Sequence, residues 1–304
     1  MPQTHRPLAA ALWMSGAIIG FSSMAVAGRE IGHDLDTFEI MLYRSAIGLL
    51  IVLSVSGFVG TLGQISTRHF GLHALRNLAH FAGQNLWLFA LSLIPLAQLF
   101  ALEFSYPIMV ALAAPLFLGE RMTPMRALAI GLGFAGILIV ARPFGGTGLS
   151  LGILTALLSA LGFAGTAIFT KRLTRVASIT CILFWLAVIQ LFLGLACAGY
   201  DGVIRLPGLA NLPWVIVIGI AGLGAHYCLT TALSLAPASI VTPIDFLRLP
   251  LIGVVGMLLY GENLDLWVFV GGAIIFGANW LNILTESRQR KVAAAAALQP
   301  DPTS

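Results

Sequence analysis

The sequence predicts an all-α integral membrane protein, with ten transmembrane helices arranged as two inverted five-helix repeats. Three observations predict it. Of the 304 residues, 59% are apolar and 9% are charged, whereas soluble domains carry charge on about a quarter of their residues. The apolar residues gather into runs of roughly 17–25, the length a helix needs to cross the hydrocarbon core, and the runs lack the alternation of barrel strands. A helix also satisfies its own backbone in lipid, which an open strand cannot. Finally, the chain repeats itself at a constant offset of 142 residues.

The runs lie at about 8–27, 38–57, 71–91, 96–118, 125–142, 151–170, 178–198, 212–234, 238–260 and 265–284. The first imitates a signal peptide, with Arg6 before it and Ala25-Val26-Ala27 near its end. It is read instead as a membrane span, because its Gly20-Phe21 falls on Gly162-Phe163 of the sixth. The third span ends in ALSLIP at 90–95 and the eighth in ALSLAP at 232–237, at the same offset. The fourth span, Pro95 to Glu120, falls without a gap on Pro237 to Glu262: Glu103 on Asp245, Phe104 on Phe246, Gly119 on Gly261 and Glu120 on Glu262. One residue is then lost, so that Gly131 and Gly136 align with Gly272 and Gly277.

Repeat one therefore covers about 8–142 and repeat two about 151–284 of a single membrane domain, 1–286, with 287–304 expected as a disordered cytoplasmic tail. Each repeat has an odd number of spans, so the second enters the membrane from the opposite side. Orientation follows from the basic residues between spans. One set of loops and termini holds Arg6, Arg68, Arg121, Arg126, Lys171, Arg172, Arg175, Arg288, Arg290 and Lys291, and the other holds Arg29, Arg142 and Arg205. This bias predicts both termini in the cytoplasm. The odd cysteines Cys181, Cys197 and Cys228 sit inside apolar runs without CxxC spacing and are read as packing residues.

Three basic residues, Arg44, Arg76 and Arg248, remain within spans. An ionisable residue at the bilayer centre costs at least about 2.5–3.5 kcal/mol, so it pairs or faces a cavity. Counting at about 1.5 Å per residue, Glu103 lies roughly 10 Å below the outer edge at the depth of Arg44, and Asp245 roughly 10 Å above the inner edge beside Arg248. Two ion pairs, Arg44–Glu103 and Asp245–Arg248, are thus expected, either as structural locks or as parts of a substrate site. The repeat keeps the acids but not the bases, since Arg44 falls on Leu186 and Arg248 on Tyr106. That asymmetry favours a central cavity lined by Glu103 and Asp245, one nearer each entrance, with Arg44 or Arg248 gripping a carboxylate.

The prolines support the same site. Pro95, Pro107 and Pro115 interrupt the fourth span, and Pro237, Pro243 and Pro250 the ninth; broken helices at corresponding places in two halves point to a transport site. Tyr106 and Phe246 flank the acids, and Gln84 aligns with His226 as a symmetric polar pair. His73, Arg76, Asn77, His80 and Gln84 share one face of the third span, with Arg76 near enough to its edge to snorkel to the headgroups. No spacing supports a metal site. GLGFAG at 131–136 lies within a span, where it serves helix packing rather than a dinucleotide loop, and no phosphate-binding loop is present in the sequence.

A proline-containing fourth span ending in LGER at 118–121, followed by GLGFAG and repeated in inverted form, resembles the EamA branch of the drug/metabolite transporter superfamily. The resemblance covers about residues 8–284. It implies a secondary carrier of small metabolites in a bacterial inner membrane, most often an exporter of amino acids or related compounds working by alternating access. The alternatives are an importer of a nucleoside- or cofactor-like metabolite and, from another class, a membrane scaffold or sensor. The expected partners are a small-molecule substrate, protons as the coupling ion and membrane lipid, with no nucleic acid, cofactor or metal, in a monomer or a homodimer. No catalytic set is found, and no enzyme is expected.

Overall fold

The computed structural model describes residues 7–117, 122–143, 149–236, 241 and 244–297. The described residues form helices and turns, without strands: α1 Pro7–Ile31, α2 Thr37–Val59, a 3-10 turn Leu62–Gln64, α3 Phe70–Leu91, α4 Leu96–Glu103, α5 Tyr106–Phe117, α6 Pro124–Ala141, α7 Leu151–Leu173, α8 Ile179–Ala198, α9 Leu212–Leu235, α10 Arg248–Tyr260 and α11 Leu266–Ala297. Their order is that of the ten spans. The fourth span is the α4–α5 pair, and the ninth is represented by the helical residues 244–246 and α10. Leu118-Gly119-Glu120-Arg121, Pro237 and Pro243 lie outside the described residues. The last helix continues through Ala297, into the segment expected as a tail.

Eight of these segments are long and apolar enough to cross a membrane. α3 is not among them because His73, Arg76, Asn77, His80, Gln84 and Asn85 all lie within it and are buried. Large apolar side chains such as Leu12, Ile19, Phe192 and Leu258 are instead exposed on the outside of the bundle. An apolar exterior around a partly polar interior suits a lipid solvent rather than water. Helix starts are fixed locally: Asp36 and Glu39 form a reciprocal cap at α2, and the Ser150 and Ser178 hydroxyls accept from the backbone at α7 and α8.

The packing carries the duplication into space. α1 lies on α9 and, equivalently, α3 on α7, two crossings that the repeat relates to each other, while α2 meets α8, α6 meets α11 and α4 meets α10, each against its own counterpart. The close contacts repeat as well. A Cβ on Gly162 would stand 2.7 Å from the Gly83 Cα, and one on Gly20 would stand 2.9 Å from the Ala225 Cβ, residues related by the same offset. At these two crossings only glycine lets the backbones approach. Gly136 serves similarly, against Gly271 of α11, so GLGFAG is a packing motif as expected.

The break between α4 and α5 places the site. Pro107 has no N–H to offer the Glu103 carbonyl and clashes with that turn, so the helix ends at Glu103 and restarts at Tyr106. Ile108 N–H turns to the Ser105 carbonyl, and the freed Phe104 carbonyl accepts from Asn279 Nδ2 at 2.9 Å. The second half restarts at the matching position, Arg248, after a turn at Leu247.

Candidate functional site

The two breaks meet on one guanidinium. Arg248 Nη2 donates to Glu103 Oε1 at 3.2 Å and reaches Asp245 Oδ2 at 3.5 Å, while Nε stands 3.4 Å from Asp245 Oδ1. Glu103 Oε2 accepts a second bond, 2.8 Å, from Trp87 Nε1 of α3. Glu103 is thus held by two aligned donors. Asp245 is held less firmly, and its Oδ1 is buried without an aligned hydrogen bond. The Arg248 guanidinium is wrapped by rings, its Cζ 4.7 Å from the centre of Phe21 and 5.0 Å from those of Phe100 and Phe104. Cation–π contact compensates part of the charge's desolvation there.

This triad forms one wall of a cavity of about 340 Å³. Glu103, Asp245, Arg248, Tyr106, Gln84 and His226 all line it. Phe21 of α1 and Phe163 of α7, repeat equivalents, also line it. Away from the triad the cavity runs along α3 past His80 and Arg76 to Thr170, Thr174 and Ile179, and the exposure of Thr174 and Ile179 marks its mouth at the α7–α8 connection.

The other end of α3 is tied shut. Arg29 forms an ion pair with Glu262 and donates through Nε to the Leu91 carbonyl at 2.9 Å and through Nη2 to the Ile94 carbonyl at 2.6 Å. Glu262 Oε2 accepts from Leu96 N–H at 2.8 Å, and Tyr260 donates to Glu30 at 2.9 Å. One arginine therefore joins the ends of α1, α3 and α10 and the start of α4.

Three expectations are corrected. Arg44 does not meet Glu103; it lies on α2, its Nη1 3.6 Å from Met41 Sδ, beside a recess of about 30 Å³ shared with Ser45, Gln190 and His226. Equal depth fixes a level in the membrane but not an azimuth, and α2 faces α8 and α9. Phe246 turns away from the cavity and packs with Phe104 and Phe276, ring centres 5.4 and 4.5 Å apart. Nor do the acids stand at separate entrances, since both converge on Arg248: two offsets of roughly 10 Å from opposite faces of a core about 30 Å thick leave a gap that one arginine spans.

Arg76 is buried rather than snorkelling, 6% exposed, with Nη1 donating to Asn77 Oδ1 at 2.9 Å and Nε to Thr170 Oγ1 at 3.3 Å. Trp87, Phe21, Phe163, His80 and Arg76 also line the cavity, although none of them is among the expected site residues. The Phe21–Phe163 match was a visible signal for two of them, and the polar face of α3 for two more. Among the described residues no group of three His, Cys, Asp or Glu side chains is arranged for a metal.

Known proteins agree with this architecture. A family model described as the EamA-like transporter family matches residues 8–142 and 150–284, one match on each repeat. The chain is 35% identical to a riboflavin transporter of Brucella anthropi, across 88% of this chain and 95% of the relative. It is 25% identical to an S-adenosylmethionine uptake transporter of Rickettsia bellii (91% and 94% covered) and 26% identical to a pseudopaline exporter of Pseudomonas aeruginosa (84% and 89%). A solved protein structure matches with a TM-score of 0.63 at 20% identity, covering 92% of this chain and 98% of its own, which bears on the fold alone.

Proposed function

The chain belongs to the EamA-like transporter family of membrane carriers, and from that premise we propose that it takes up a flat, heteroaromatic, cofactor-like metabolite, a flavin or a close analogue. The observation that carries this reading is the cavity wall. Phe21, Phe163, Trp87 and Tyr106 present rings around a space of about 340 Å³, beside a carboxylate pair and Gln84. Pockets that bury drug-sized ligands measure roughly 300–1,000 Å³, and a stacked heterocycle gains about 1–3 kcal/mol on an aromatic face. A free amino acid leaves most of such a space unfilled, so export of amino acids is the weaker reading, although one relative is named as an exporter. The resemblance to a riboflavin transporter supports the same cargo class.

The cycle we infer is alternating access. The Arg29 latch closes one end while the cavity opens at the other, beside Lys171, Arg172 and Arg175. The excess of basic residues on that side assigns it to the cytoplasm, which makes this the inward-facing state with both termini inside. Two carboxylates share one guanidinium, so the triad carries a formal charge of −1. A proton on either acid leaves a one-to-one pair, and that neutralisation lowers the cost of moving the site through the membrane. Proton-coupled uptake follows from this balance.

Uptake of labelled riboflavin into proteoliposomes tests the reading. Accumulation driven by an inwardly directed proton gradient is expected in the native chain, with loss of the gradient's effect in Glu103→Gln and Asp245→Asn. Amino-acid flux without flavin flux overturns it.

A further inference from the structure

We propose that the far end of the cavity is an anion-binding subsite, in which Arg76 and His80 hold a carboxylate or phosphate carried by the cargo, apart from the acidic triad. The proposal deepens the uptake reading and rests on it for the ring, but not for the anion.

The inference starts from a charge imbalance. Arg76 and Arg44 are 6% and 9% exposed, and among the described residues neither has a carboxylate partner; Arg76 donates to Asn77 and Thr170, and Arg44 approaches Met41. Both guanidiniums lie within the membrane-spanning part, where an uncompensated charge is costly. His80, 2% exposed, lines the cavity with both ring nitrogens buried and unbonded. Its ring lies 5.9 Å from that of His226, behind which Arg44 sits in the adjoining recess. Two arginines and two histidines thus gather on one side with no acid among them, while the acids are gathered on Arg248.

Counting the formal charges that line the cavity and its adjoining recess, Arg44, Arg76 and Arg248 against Glu103 and Asp245, leaves +1 with neutral imidazoles. A carboxylate on the cargo cancels it, and a phosphate, at about −1.5 to −2 near pH 7, cancels it together with the proton taken up by the triad. His80 lines the cavity one helical turn from Arg76, and its unbonded ring nitrogens leave it a neutral N–H to give once the ring turns towards a ligand, while guanidinium donors suit the paired oxygens of a carboxylate or phosphate. His80 stands seven residues before Trp87 on α3, about 10 Å along the axis. The cargo is therefore a ring lodged near Trp87 and the triad, with an arm about 10 Å long that ends in the anion.

Binding to the purified full-length protein, followed by tryptophan quenching and calorimetry, tests this with ligand pairs that differ only in a phosphate: riboflavin against flavin mononucleotide, and adenosine against adenosine monophosphate. The phosphorylated flavin is expected to bind at least tenfold tighter at low salt. The ratio should fall towards one in Arg76→Gln, and Arg76→Lys should be intermediate. A ratio at or below one in the native chain, or a ratio that survives Arg76→Gln in a variant with native melting temperature, overturns the subsite. If neither flavin binds, the flavin reading fails while an Arg76-dependent preference for adenosine monophosphate sustains the anion site. No preference in either pair, or no binding of any of the four ligands, overturns it.

Discussion

The α4–α5 break and its inverted copy before α10 are built on one plan and differ at one decisive residue. Both carry an acid three positions before the helix restarts, Glu103 and Asp245, and both are followed by an apolar helix, α5 and α10. The restart itself is Tyr106 in one half and Arg248 in the other. Because only one half supplies a cation, its arginine serves both acids and ties the two broken helices together. The backbone scaffold is symmetric and the chemistry is not. In the proposed cycle, two-fold pairing of helices is the hinge for exchange between two equivalent packings, and the one-sided charge selects one orientation of the cargo.

Removing the cation should have the largest effect. Arg248→Gln leaves two buried carboxylates without compensation, and breaking a buried pair from one side costs about 3–5 kcal/mol. We expect loss of transport and a large fall in melting temperature in detergent. The exchange Tyr106→Arg with Arg248→Tyr, which moves the cation to the other half, should recover much of the stability but not transport. Recovery of both would mean that charge balance alone is required and that the asymmetry has no role in cargo binding.

The two acids should then separate. Glu103 accepts from Trp87 and Arg248, whereas Asp245 has only the looser contacts with Arg248. Glu103→Gln is expected to cost more stability than Asp245→Asn, by about 1.5–3 kcal/mol, the scale of a hydrogen bond to a charged group. Asp245→Asn, with the freer acceptor, should act mainly on cargo affinity. Thermal melts compared with binding isotherms for the two variants distinguish the roles, and equal effects on both would remove the distinction.

How much of this was legible in the sequence follows from what each signal measures. Hydropathy and the 142-residue offset established the order of spans and their inversion, because lipid and duplication each impose a period on the chain. Pro107 marked the broken helix, since a missing donor is a local fact. The partners of the arginines were not legible. Arg44 and Glu103 share a depth, but the side of a helix that faces inward is set by contacts with α8 and α9, far along the chain. Arg76 looked free to reach the headgroups from its distance to the helix end, yet α7 brings Thr170 over it. Position along one helix does not report what another helix covers.

The smallest expected effect concerns the two ends of the molecule. Arg29 and Glu262, paired in this structure, fall at the repeat offset on Lys171 and Glu120, and Glu120 lies outside the described residues. The latch joins helix ends without touching the cavity, so weakening it should shift the balance of states and leave the site intact. Arg29→Gln keeps a donor for the Leu91 carbonyl but removes the charge. A change of about 1–3 kcal/mol in that balance alters populations roughly 5- to 150-fold. With Met24→Cys, on the cavity wall, as the reporter in a chain freed of its native cysteines, an impermeant thiol reagent supplied from the Arg29 side should label faster once the latch is weakened. The reversed pair Arg29→Glu with Glu262→Arg should slow labelling again, although the Leu91 and Ile94 carbonyls, which have lost their donor, keep the rescue partial. Labelling that Arg29→Gln leaves unchanged would show that closure at this end rests on helix packing and not on the ion pair.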